Sequence, residues 1–142
     1  MYKKIYLKHR KDESLKRFHP WVFSGAIHHM DKDVAEGDTV RVITAEGNFV
    51  AVGHYQIGTI TVRVLSFDDI TIDDHFWRSK IEQAVAVRES IGIVNRKDNN
   101  TYRLVHGEGD NLPGLVIDCY GSTAVMQAHS VGMHVCREQI CK

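Results

Sequence analysis

The stretch DTVRVITAEGNFVAVGHY, residues 38–55, constrains the fold more than any other. Two runs alternate polar and apolar residues with the period of two that turns one face of a strand inward. Between them Ala45, Glu46, Gly47 and Asn48 supply turn chemistry, so the pair reads as a β-hairpin. Gly53, inside the second run, marks a bulge or a tight bend. More short β-rich segments lie on either side: KKIYLK at 3–8, the aromatic run HPWVFSGAI at 19–27, and ITVRVLSF at 60–67. One helical turn is expected over residues 13–18, stopped before Pro20 because the residue preceding a proline avoids the α region. Short strands at this spacing, over roughly 70 residues, suggest a small barrel or sandwich.

The character then changes. SFDDITIDD, residues 66–74, holds four aspartates and reads as a connector, with residues 70–72 able to supply one more strand. Asp73 or Asp74 can cap the helix expected over 75–91, where a carboxylate meets the positive helix end. Trp77, Ile81, Ala84, Val85 and Ile91 form its apolar stripe, and Gly92 suits the position just past its end. Three β-like runs follow, at 102–106, 115–119 and 123–128, and then a helical pattern over 131–142 in which Val131, Val135, Cys136 and Ile140 share a face. The fold class expected is α+β: a β-rich domain over 1–70 and a small α/β module over 71–142.

Between two of the later runs lies GEGDNLPG, residues 107–114, which invites comparison with a phosphate-cradling loop. A dinucleotide fingerprint needs Gly-x-Gly-x-x-Gly between a strand and a helix, so that pyrophosphate meets the helix N-terminus. Here Leu112 stands at the third glycine position, and LVIDCY, a strand, follows Gly114. Glu108 and Asp110 would repel phosphate, and no Gly-Lys-Ser/Thr is present. The segment therefore reads as a wide turn between antiparallel strands, with Gly107, Gly109 and Gly114 allowing φ > 0 and Pro113 stiffening the exit.

Other chemistries fare no better. Nine histidines raise the question of a metal, but His28 and His29 are adjacent and on a strand point to opposite faces. His134, Cys136 and Cys141 lack the second matched pair of a zinc site. No nucleophile elbow or His-Glu-x-x-His helix appears, so neither a catalytic nor a metal site is assigned. The three cysteines are odd in number and show no Cys-x-x-Cys spacing, which suits free thiols in the cytoplasm. No run of about 18 apolar residues suggests a membrane span.

Nucleic acid is the better candidate partner. The formal net charge is zero, yet residues 1–17 hold seven Lys or Arg against Asp12 and Glu13, a local balance of +5. Such an arm attracts phosphates regardless of sequence; a basic edge strand guarded by lysines accounts for the same charges equally well. The candidate RNA-binding residues are Lys8, Arg10, Lys11, Lys16 and Arg17, together with Ser24 and Gly25, where a glycine permits close backbone approach. Trp21 and Phe23 could stack on bases, but rings of this kind usually bury, and core packing is the expectation for them.

LKRFHPWVFSGAI, the EGDTVRVITAEGNFVAVGHY hairpin and the ITVRVLSF strand together resemble the N-terminal PUA domain of bacterial class I SAM-dependent rRNA large-subunit methyltransferases. RLVHGEGDNLPGLVIDCYG resembles the hallmark of the next domain in that family, a strand–strand–helix–strand–strand module. The resemblance implies a PUA-like β pseudo-barrel, that module, and then a Rossmann-like domain that binds S-adenosylmethionine and methylates cytosine C5 in 23S rRNA through a cysteine. This sequence contains no strand–glycine loop–helix for that cofactor, so it is expected to be the RNA-binding portion alone, without a cofactor of its own and inactive unaided. A stand-alone RNA-binding module is the alternative. A protein-interaction or homodimerisation role for the second module is another.

Overall fold

The computed structural model describes residues 1–142, which divide into two compact units, Met1–Thr71 and Ile72–Lys142. The first contains six strands: β1 (Lys3–Leu7), β2 (Trp21–Phe23), β3 (Ile27–Met30), β4 (Thr39–Ile43), β5 (Phe49–Tyr55) and β6 (Ile60–Ser66), with one helical turn, α1 (Glu13–Lys16). They form one sheet in the order β2-β6-β5-β4-β1-β3, antiparallel except for the β1–β4 pair. β1 is thus an interior strand, and its lysines do not guard an edge: Lys3 instead pairs with Asp38 at 3.0 Å.

The two outer strands, β2 and β3, are joined by the three residues Ser24–Ala26 alone, a 3-10 turn. A flat six-stranded sheet would hold its outer strands about 24 Å apart, at ~4.8 Å per neighbour. The link from Phe23 to Ile27 reaches at most about 14 Å. The sheet must therefore curl until its edges approach each other, and Ser24–Ala26 is the seam of a pseudo-barrel. The seam is pinned on both sides: Ser24 N–H donates to the Thr59 carbonyl and Lys8 N–H to that of Ala26, each at 2.9 Å.

Alternation fills the interior. Ile5 and Leu7, Val40 and Val42, and Val62 and Val64 converge there with Val22, Ala51 and Leu15 of α1. Burying a side chain of the Leu or Ile kind stabilises by roughly 1.5–3 kcal/mol. β5 is buried over four consecutive residues, Ala51 to His54, and the register slips between Val52 and Gly53. A Cβ on Gly53 would lie 2.2 Å from the Arg63 carbonyl oxygen, so only glycine fits the bulge. The hairpin turn closes through Thr44, whose Oγ1 accepts from the N–H groups of Glu46 and Asn48 at 3.2 Å.

The second unit comprises α2 (Asp74–Ser90), strands β7 (Thr101–His106), β8 (Leu115–Tyr120) and β9 (Thr123–Ala128) in an antiparallel sheet, then α3 (Val131–Val135) and α4 (Arg137–Ile140). Asp73 caps α2, accepting from Phe76 N–H at 2.9 Å. Residues 70–72 form no strand, and Ile70 N–H donates to the Asp68 carbonyl at 2.9 Å. Helix α2 buries Phe76, Trp77 and Ala84, whereas Ile91 lies past its end and is exposed. The last helix breaks at Cys136 into two short pieces; Gly132, Met133 and Ile140 are its buried residues, while Val135 is 58% exposed, so the expected shared face does not form.

Residues 107–114 prove to be structural. Gly107–Asp110 make a 3-10 turn, Asn111 follows with φ 56°, and Gly107 and Gly114 have φ 51° and 89°; Gly109 keeps an ordinary φ. Asp110, expected to repel phosphate, is turned inward onto Arg88 as a two-point ion pair, its Oδ2 2.8 Å from one guanidinium nitrogen. The same carboxylate accepts from His106 N–H at 2.6 Å. Burial alone would raise the Asp110 carboxyl, but the Arg88 guanidinium and the His106 amide hold it below the usual range. A Cβ on Gly114 would meet Ser130 Oγ at 2.5 Å, and Ser130 in turn caps α3. Neither sheet is the doubly wound parallel kind that binds dinucleotides.

Candidate nucleic-acid interface

Chain direction and hydrogen bonding assemble the candidate residues around the seam and α1. β1 ends at Leu7, opposite Ile27, which sets Lys8 beside the seam. Lys8 Nζ donates to the Gly25 carbonyl at 3.1 Å, so this lysine is partly occupied in holding the turn. Residues 8–11 then turn back, Lys11 N–H donating to the Lys8 carbonyl at 3.1 Å, with Arg10 at φ 58°. Lys16 pairs with Asp12 at 2.6 Å. That contact holds the Asp12 carboxyl below its ordinary range and raises the Lys16 ammonium.

Arg10, Lys11 and Arg17 differ from those two. All three are exposed, and none makes a side-chain hydrogen bond or an ion pair. Among the candidate residues they are the cations left available for an anionic partner. Ser24 and Gly25 are exposed at the seam, and a Cβ on Gly25 would meet nothing within 4 Å.

The aromatic residues depart from expectation. Trp21 is half-buried and Phe23 is 43% exposed. β2 is an edge strand of three residues, and its inward position is taken by Val22, so its neighbours face outward. With His19 they make a cluster whose ring centroids lie 5.8 to 6.2 Å apart. Phe18, which sequence reasoning missed, is 72% exposed.

Phe18 also ends α1. Its N–H donates to the Leu15 carbonyl, and His19 N–H donates to that of Ser14 at 3.0 Å, the hydrogen bonds of a Schellman cap. That cap requires a left-handed residue, usually glycine, yet Phe18 occupies it at φ 61°. The sequence signal was the lack of a glycine between Lys16 and Pro20, where a helix has to stop.

The histidine pair also corrects an expectation. Tyr6 faces His29 and Leu7 faces Ile27, so His28 is the extra residue of a β-bulge. The bulge re-aims His28, and the two Nδ1 atoms come within 2.7 Å instead of pointing to opposite faces. No third ligand joins them, and no group of three His, Cys, Asp or Glu gathers anywhere in the chain. All three cysteines are free thiols, and no helix is long and apolar enough to cross a membrane.

Residues 5–67 match the family model described as a PUA-like domain. A ribosomal RNA large subunit methyltransferase I of Vibrio cholerae is 41% identical over 129 residues, covering 90% of this chain and 32% of that protein. The proteins of the same name from Shewanella amazonensis and Escherichia coli are 37% and 36% identical, over 96% and 91% of this chain. This chain spans about a third of the length of these curated relatives. A solved structure from Streptococcus mutans, described as a SAM-dependent methyltransferase, superposes with a TM-score of 0.80 at 17% identity, over 97% of this chain and 36% of that one. The likeness in sequence falls on the family that residues 15–27 and 103–121 resemble.

Proposed function

From the premise that residues 5–67 are a PUA-like domain, we propose that this chain is the RNA-holding portion of a SAM-dependent methyltransferase of 23S rRNA cytosine C5. Its catalytic domain lies beyond these residues, and the enzyme works in the cytoplasm. The candidate residues Lys8, Arg10, Lys11, Lys16, Arg17, Ser24 and Gly25 form the RNA-facing surface.

One observation carries the reading: three unpaired cations, Arg10, Lys11 and Arg17, flank α1 beside an exposed aromatic ring, Phe18. Cations attract the phosphate backbone, and exposed rings stack on unpaired bases. Lys8 acts with them by fixing the Gly25 carbonyl and so the shape of the seam. The kinship to rRNA methyltransferases supplies the substrate class.

Fluorescence anisotropy with fragments of 23S rRNA tests this. The chain should bind, with affinity falling linearly against the logarithm of salt concentration. Replacing Arg10, Lys11 and Arg17 together by glutamate should lower that slope by roughly 2–3, at about 0.7–0.9 per phosphate contact. Unaltered binding by the triple variant would remove this surface from the proposal. Calorimetric titration with S-adenosylmethionine should give no binding heat for this chain.

A further inference from the structure

A cleft of about 310 Å³ opens between α1 and the β4–β5 hairpin. Its walls include Leu15, Phe18 and Phe67, with Asp12, Lys16 and Glu46 among its polar groups. The volume lies at the small end of the range that binds a ligand. Three aromatic rings line it, Phe18, Phe49 and Phe67, and Phe18 meets Phe67 edge-to-face at 5.2 Å.

The polar side of the cleft offers no unpaired cation. Asp12 pairs with Lys16, and Glu46 accepts from His9 Nδ1 at 2.9 Å. A phosphate would gain little there. A flat, neutral ligand bearing N–H groups would stack on the rings and give hydrogen bonds to carboxylates, which are acceptors only. Immediately outside, Lys11 precedes Asp12 and Arg17 precedes Phe18, and both cations are unpaired. A neutral aromatic ligand flanked by negative charges is a base on a nucleotide strand.

We propose that this cleft receives a single unpaired RNA base, and that it prefers guanine. Guanine presents N1–H and the N2 amino group side by side, matching the two oxygens of one carboxylate. Uracil presents one N–H between two carbonyls, which a carboxylate repels. Phe18 forms the lip of the cleft. A phenylalanine at φ 61° is a conformational outlier that glycine would relieve, and such outliers persist where a side chain is needed at that spot. Arg17 and Lys11 hold the phosphates on either side of the inserted base.

This inference rests on the RNA-binding reading, and the test separates the two. Single-stranded pentaribonucleotides with a central G, A, C or U on a constant flank are titrated against the whole chain by fluorescence. The central-G oligonucleotide should bind roughly tenfold more tightly than the central-U one. Asp12→Asn and, on the exposed turn, Glu46→Gln should each shrink that ratio, chiefly by weakening the G complex, while melting curves verify the fold. Phe18→Ala should weaken all four by a similar factor of about ten. Binding of all four with equal affinity, unmoved by Phe18→Ala, would overturn the cleft and leave the RNA-binding reading standing. If the pentamers and the 23S fragments alike fail to bind, the RNA-binding reading goes as well.

Discussion

Phe18 meets Phe67 edge-on at 5.2 Å while its own backbone sits in the left-handed region, φ 61°. The ring contact favours phenylalanine at this position, and the backbone disfavours it. A left-handed residue other than glycine costs roughly 1–2 kcal/mol, comparable with the 0.5–1.5 kcal/mol of an aromatic pair.

Phe18→Gly should therefore leave the melting temperature near that of the parent, because relieved strain offsets the lost ring contact. Binding of rRNA fragments should still fall about tenfold, the worth of one stacked base. A variant that melts far lower would show that Phe18 is retained for packing, not for its exposed face.

Gly25→Ala separates the same two roles at the seam. A methyl group at this position would have no neighbour within 4 Å, so the fold should tolerate alanine. Should RNA lie against the Gly25 backbone, the added methyl group would hold it off, and anisotropy should report weaker binding at an unchanged melting temperature. Equal affinity for alanine and glycine would remove Gly25 from the contact surface.

His54 is 2% exposed in β5, and burial pushes its imidazole down to about 4 from an ordinary 6.5. The folded chain keeps it neutral where the unfolded chain protonates it. Its contribution is complete above about pH 6.5 and is lost as pH falls toward 4, by about 3 kcal/mol in all. Urea unfolding at a series of pH values should show this loss, and a His54→Gln variant should show a flatter profile across the same window.

Asp110 and Arg88 are 7% and 12% exposed in their side chains, and each is the other's counter-charge. Asp110→Ala strands a guanidinium in a nearly closed site and should cost about 3–5 kcal/mol. Adding Arg88→Met should recover part of that loss, since the buried charge is then gone. Chemical denaturation of both variants measures the difference.

What the sequence made legible follows from which forces are local. Val40, Val42, Val62 and Val64 announced their strands because a period of two is a property of neighbours. The pair Asp73 and Asp74 announced the helix because a cap reaches only three residues, and the structure selects Asp73. The seam was not legible: that β2 and β3 are opposite edges of one sheet depends on strand pairings made much later in the chain. Nor was the partner of Asp110, which lies 22 residues away. In the candidate interface, the cations could be named from charge alone. Which of them are engaged, as Lys8 and Lys16 are, depends on the folded positions of Gly25 and Asp12. The exposure of Phe18 and Phe23 ran against the ordinary habit of such rings, and departures of that sort concentrate where a surface has work to do.

The three-residue join between Phe23 and Ile27 has a last consequence. Strand borders left open recruit other chains, and a curled sheet leaves less room beside its borders than a flat one. The short link that leaves Ser24 and Gly25 exposed also keeps the β2 and β3 borders near each other, which narrows the room for another chain to dock on either. Lengthening it would set the β2 and β3 ladders apart and offer other chains two borders to pair with, a route to aggregates.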